Sequence, residues 1–236
     1  MIDDCFDNLA HAFSKFNATF ISSLQLVKID SKEADGTMNL DFASLTNCFS
    51  SLNDAIQKTN SASSLDWRKC PELYTIIAIR NAQHHNHANK IRSIFSHHIH
   101  NAHPNTATYT LLDYDTDRDD RGELWHYLSF SDLLNYLDLP QKTSRLKECT
   151  VSLIHDYLCT SEIKNKHSTR ISTETLFFNA MPLLVNAGIQ ITKDIQHQIP
   201  NGRSDESDCF KSFFLNMKPF RISNQSFNSL ELKLPT

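Results

Sequence analysis

The stretch Ile2-Asp3-Asp4-Cys5-Phe6-Asp7-Asn8-Leu9-Ala10-His11-Ala12-Phe13-Ser14-Lys15-Phe16-Asn17-Ala18-Thr19-Phe20-Ile21-Ser22-Ser23-Leu24 sets Ile2, Phe6, Leu9, Phe13, Phe16, Phe20 and Leu24 at alternating steps of four and three. That spacing puts all of them on one face of a helix about six turns long; a strand, with its period of two, does not reproduce it. A polar interval from Lys28 to Thr37 follows and contains the turn dipeptide Asp35-Gly36, after which Leu45, Phe49, Leu52 and Ile56 restore the helical period. Two such helices predict an antiparallel pair. With only 4 glycines in 236 residues, the fold class expected is mainly α.

Working outward, a polar link from Thr59 to Ser64 leads to Pro71, which suits a helix's first turn, and to Leu73, Ile76 and Ile77. The stripe resumes at Ile91, Ile94, Phe95 and Ile99, and Pro104 stops it. In between it is occupied by Arg80, His84 and His87, so the middle of a core-facing helix face turns polar. The β-forming runs Thr108–Tyr114 and Leu124–Phe130 flank the charged stretch 115–123 and predict an inserted β-hairpin over about 108–130. Ser131-Asp132 would cap a helix from Leu133 to Leu139 that Pro140 ends, and Leu146 to Tyr157 marks another. A further helix is expected from Thr173 to Ala187, kinked or broken early at Pro182 and closed by Gly188. Leu230, Leu232 and Leu234 alternate as in a short strand, with Ile189 and Ile191 as its candidate partner. The organisation expected is therefore a helical core over 1–104, a hairpin and further helices packing on it over 105–200, and a loop with a small extended or β appendage over 201–236.

Composition narrows the function classes. A formal net charge of -4 and a pI near 6.3 exclude a chain coated in basic residues, so any nucleic-acid contact must be local. Residues 66–103 supply such a patch, with Arg68, Lys69, Arg80, Lys90 and Arg92 against Asp66 and Glu72. The acidic Met1-Ile2-Asp3-Asp4 and the lack of a long apolar run lead us to expect a cytoplasmic protein with no membrane association. The 6 cysteines form no C-x-x-C pair, which predicts free, buried thiols rather than a zinc knuckle or disulfide scaffold.

The chemistry concentrates in Ile77-Ala78-Ile79-Arg80-Asn81-Ala82-Gln83-His84-His85-Asn86-His87. Arginine stays charged and holds a phosphate, while histidine moves a proton near neutral pH. Arg80-Asn81 followed by His85 fits R-N-x-x-x-H and resembles the HEPN superfamily, whose ribonucleases place a histidine four to six residues after an arginine. The resemblance covers the motif and, in outline, the α-rich setting from Ile2 to Pro104. It implies a HEPN-like helical bundle and a metal-independent endoribonuclease with no cofactor, whose site is often built where two copies of the domain pair. It also implies RNA as substrate, a homodimer, and, from the superfamily's common occupations, a toxin or phage-defence effector with a protein antitoxin or regulator as a possible partner. By the same resemblance Arg80 and His85 are catalytic, Asn81 orients them, and His87 is the alternative histidine at the six-residue gap. On an ideal helix His84 and His87 lie within roughly 40° of Arg80 and His85 roughly 140° away, so periodicity and motif choose different histidines. Arg68, Lys69, His84, Lys90 and Arg92 are the candidate RNA-binding residues.

Two other classes compete. One is a catalytically inactive helical interaction module in which Arg80 and the histidines form a satisfied polar network. The other is a histidine-metal hydrolase, since His97, His98, His100 and His103 extend the cluster; no H-E-x-x-H occurs, and no metal ligands are assigned. A solvated or RNA-facing histidine cluster is the simpler expectation. Asp113-Tyr114-Asp115-Thr116-Asp117 begins like a calcium loop, but Arg118 replaces its glycine and Leu124 its last ligand, which leaves a solvated hairpin tip.

Overall fold

A computed structural model of the chain describes residues 1–59, 66–84, 91–101, 106–115, 117, 124–167, 173–199 and 202–233. Among these residues the protein is mainly helical, with one small sheet. The long helices α1 (Ile2–Leu26) and α2 (Ser31–Lys58) form the antiparallel pair that the apolar spacing predicts. Phe6, Leu9, Phe16 and Phe20 of α1 and Phe42, Leu45, Phe49 and Leu52 of α2 are almost wholly buried. The turn between them is tighter than expected. Asp30 accepts hydrogen bonds from the Lys32 and Glu33 amides, so α2 starts before Asp35-Gly36 and carries that dipeptide inside the helix.

Helix α3 (Pro71–His84) opens on its proline as expected and runs through the middle of the fold. Leu73, Ile76, Ala78, Ile79 and Ala82 are fully buried on several of its faces, as in a helix surrounded by others. α3 packs against α2, against α7 (Glu148–Tyr157) and against α9 (Met181–Ile195). Its apolar stripe is not one continuous helix with Ile91 to Ile99. Residues 91–93 are non-helical, with Ser93 in an isolated bridge to Leu128, and the separate α4 (Ile94–Asn101) follows. The expected stop at Pro104 lies outside the described residues.

The expected hairpin does not form. Strand β1 (Thr106–Tyr114) pairs in parallel with β3 (Leu176–Asn179) and antiparallel with β4 (Gln225–Lys233), while β2 (Tyr127–Ser129) pairs with β3 and carries the isolated bridge from Leu128 to Ser93. The sheet order is β2-β3-β1-β4, so β1 and β2 are never neighbours. Alternation marks a strand but does not choose its partner. β3 itself lies where a helix was expected, because Leu-Phe-Phe-Asn runs into α9 with little polar break. Pro182 stands in the first turn of α9, where it needs no amide partner, rather than kinking a helix already under way. Gly188 is mid-helix, not a terminus, and the Phe214 ring packs so closely that a Cβ would come within 2.7 Å of it. Ile189 and Ile191 are accordingly helical, and β4 finds β1 instead.

Between β2 and β3 lie α5 (Phe130–Leu137), α6 (Gln141–Ser144), α7 and α8 (Thr160–His167). α5 is capped by Ser129, not Ser131, and Asp132 is thereby released for another use. The segment expected as an appendage is integral. In α10 (Asp205–Asn216) Phe210 and Phe214 stack with Phe6 and Phe13 of α1, and one apolar core runs from Phe6 to Ile222. The cysteines are free, but only Cys70 is buried, and Cys149 and Cys209 are exposed. No described helix is long and apolar enough to cross a membrane.

Candidate active site

Arg80 belongs to a helix that is apolar nearly all round, and so it cannot simply extend into solvent; it is partly buried at the α2–α3 contact. Burying a guanidinium without partners is costly. Its Nε donates to Asn47 Oδ1 of α2 at 2.8 Å, and one Nη donates to Asn81 Oδ1 at 3.0 Å. One turn on, Gln83 Oε1 accepts from Thr46 Oγ1 at 3.2 Å, so neighbouring polar residues of α2 serve neighbouring polar residues of α3. Both acceptors on Arg80 are neutral amides. Among the described residues no carboxylate pairs with it, and its second Nη has no hydrogen-bond partner.

Asn81 connects this pair to α5. Its side chain lies against the buried Tyr136 hydroxyl, which donates to the Ser144 carbonyl at 2.6 Å. Burial pushes the Tyr136 phenol up to about 12, against the opposing pull of Asn81 and of the Arg145 and Arg80 cations. Tyr136 therefore remains a neutral hydroxyl at physiological pH and serves to position its neighbours.

The remaining candidates are distributed unevenly. His84 is the last residue of α3, and nothing is described of its side chain; His85, His87 and Lys90 lie outside the described residues, as does the Arg68 side chain. Lys69 is exposed and 3.7 Å from Asp66. Arg92 makes a two-pronged pair with Asp132, Nε to Oδ2 and Nη2 to Oδ1, both at 2.8 Å, and its backbone amide donates to the same carboxylate. That geometry matches its charge completely. Next to it, Ser93 and Ser96 hydroxyls both donate to Asp35 of α2, which pins residues 92–96 to two helices.

The later histidines are not a solvated cluster. His98 is buried with Nδ1 3.0 Å from the Tyr109 hydroxyl, and His97 sets its ring edge-on to Tyr109 and Phe177. Burial holds the His97 imidazole below its usual range. Only His100 is exposed, and His103 lies outside the described residues. His126, which nothing in the sequence singles out, is enclosed against the Phe42 and Phe16 rings, and burial pushes it down to about 3. Among the described residues no three His, Cys, Asp or Glu side chains are grouped to hold a metal. Of the acidic segment, Asp113 and Asp115 are held by protein partners, Asp117 is exposed, and residues 116 and 118–123 lie outside the described residues. Asp113 accepts from Tyr127, Asn179 and Asn228, and Asp115, buried with a left-handed φ of 52°, accepts from Arg221.

No family model, curated protein or solved structure matches this chain.

Sequence reasoning missed Asn47, Tyr136 and Arg145. Asn47 carried a faint signal, a polar Thr46-Asn47 pair between the core positions Leu45 and Phe49. The other two carried none, because only the fold brings α5 and α6 to the end of α3.

Proposed function

We propose that this chain is a metal-independent, HEPN-like endoribonuclease acting as a toxin or phage-defence effector, with two copies pairing to form its site. One observation carries the reading. Arg80 is fixed in direction by two neutral amides, and among the described residues no carboxylate compensates its charge, a few residues before the histidine run. A guanidinium held that way suits an anion that arrives from outside, such as a phosphate diester.

In the proposed reaction the RNA 2'-oxygen attacks phosphorus as His85 takes its proton. The bond to the leaving 5'-oxygen breaks as a histidine, His87 or one from a second copy, gives that oxygen a proton. Arg80 stabilises the negative charge gathering on the non-bridging oxygens, and Asn81 keeps Arg80 in line. DNA lacks the attacking hydroxyl and is not cut.

The test incubates wild type, Arg80→Ala, His85→Ala and His87→Ala with assorted RNAs, with and without EDTA. Chelator-insensitive cleavage by wild type, lost in Arg80→Ala and His85→Ala, is the expected result. Normal cleavage by His85→Ala but not by His87→Ala moves the role to His87. Activity abolished by EDTA overturns the metal-independent mechanism.

A catalytically silent interaction module is the second reading. It is favoured by the pairing of Arg92, the half-burial of His97 and the burial of His98, which remove part of the basic surface that residues 66–103 promised. Absence of cleavage with every RNA supports it.

A further inference from the structure

The uncompensated charge at Arg80 raises the question of where the rest of a polyanion would lie. Of the other cations of the expected patch, Arg92 faces Asp132 and Lys69 stands near Asp66, while Lys90 and the Arg68 side chain lie outside the described residues. The fold brings a different cation to the motif. The Tyr136 hydroxyl reaches α3 through Asn81 and donates at 2.6 Å to the carbonyl of Ser144, the residue before Arg145. One buried tyrosine of α5 thus links the Arg80–Asn81 pair of α3 to the turn that carries Arg145.

Three features of Arg145 mark it out. It is exposed, and among the described residues its side chain makes no ion pair or hydrogen bond. It closes α6 with φ 61° and ψ 12°, the left-handed conformation where glycine is the unstrained choice. A charged residue therefore stands where the backbone alone would favour none, and strain of this kind gathers at functional positions. Finally, its turn is basic, with Lys142 and Lys147 exposed on either side of it.

We infer that Arg145 is a second phosphate-binding residue of the Arg80 site, holding a backbone phosphate of single-stranded RNA next to the one that Arg80 receives. The inference rests on the RNA reading above. Arg145 forms no bond with the reacting atoms. It sets the path of the strand, and because it contacts phosphate it does so with little regard to sequence.

The probe is a fluorescein-labelled, 2'-O-methyl oligoribonucleotide, which lacks the attacking hydroxyl and so reports binding alone, read by anisotropy over a salt series. Arg145→Gly relaxes the left-handed turn, so its melting temperature should equal or exceed that of wild type. Its affinity should nevertheless fall about tenfold, with the slope of log affinity against log salt shallower by about 0.7. Arg145→Lys keeps the charge and should keep the wild-type slope. Lys32→Ala, fifteen residues and so about 22 Å along α2 from Asn47, should bind as wild type. If wild type binds in a salt-dependent way and Arg145→Gly binds equally well, the inference fails while the RNA reading stands. If wild type itself shows no salt-dependent binding, both fail.

Discussion

Arg80 and Arg92 stand twelve residues apart in the same basic stretch, yet the structure holds them in opposite ways. Arg92 meets the carboxylate of Asp132 with two parallel hydrogen bonds, so charge and geometry are both satisfied within the molecule. Among the described residues Arg80 meets only the amide oxygens of Asn47 and Asn81, so its geometry is fixed and no carboxylate among them matches its charge. Two arginines that look alike in sequence are thus a structural fastener in one case and, on the proposed function, an anion receptor in the other. The contrast extends to the histidines: His97 and His98, which follow Arg92, pack against aromatic rings, and burial suppresses the charged form of His97.

The contrast can be broken in four ways. The largest effect is expected at Arg80. Arg80→Ala should lower RNA cleavage by at least about 100-fold, the usual cost of losing a transition-state donor, with little change in the urea midpoint. Arg92→Ala should do the reverse, cutting normally per folded molecule while unfolding at lower urea; equal loss of activity in both variants would erase the distinction. Asp132→Ala leaves the Arg92 guanidinium and amide without their acceptor. Because the arginine is partly exposed, we expect a destabilisation of about 2 kcal/mol rather than the full cost of breaking a buried pair, measured by urea unfolding.

The third concerns the enclosed histidines. His126 binds a proton near pH 3 in the folded protein and near about 6.5 when unfolded, so its folded value is the depressed one. Stability is full above the unfolded value and declines as pH falls, because the unfolded chain takes up a proton that the native chain refuses. Between pH 8 and pH 5 this group should remove about 2 kcal/mol. His126→Phe keeps a ring against Phe16 and Phe42, and the loss of stability between those pH values should shrink by that amount; an unchanged loss would show that His126 titrates normally. The smallest effect is the most specific. Asn47→Asp turns the Arg80 acceptor into a carboxylate and makes Arg80 resemble Arg92. It should raise stability by about 1 kcal/mol while reducing cleavage about tenfold, and a variant both more stable and fully active would remove the reason for the neutral amides.

The helices were legible where a single face repeats, and α1, α2 and α3 follow from Phe, Leu and Ile at steps of three and four. Partners were not. Thr108–Tyr114 is a strand as its residues suggest, but its neighbours β3 and β4 begin more than sixty and a hundred residues further along the chain, and no local pattern encodes that choice. The turn before α2 and the cap of α5 were misplaced by a few residues, because Asp30 and Ser129 compete with equally suitable neighbours and packing decides between them. At the candidate site the sequence indicated Arg80 and Asn81, since a cation within an aliphatic run is conspicuous. It could not indicate which basic residues are paired. Arg92 resembles Arg80 until Asp132 is seen beside it, and Arg145 resembles any surface cation until Tyr136 is seen linking its turn to α3.

The central claim is that Arg80 is kept unmatched to receive a phosphate during attack by the RNA 2'-hydroxyl. The most direct measurement is the chemistry of the cut ends, read by mass spectrometry after wild type and Arg80→Ala are incubated with RNA in EDTA. We predict 2',3'-cyclic phosphate and 5'-hydroxyl ends from wild type and none from Arg80→Ala. Ends carrying 3'-hydroxyl and 5'-phosphate, or the same cyclic products in equal yield from Arg80→Ala, would contradict it.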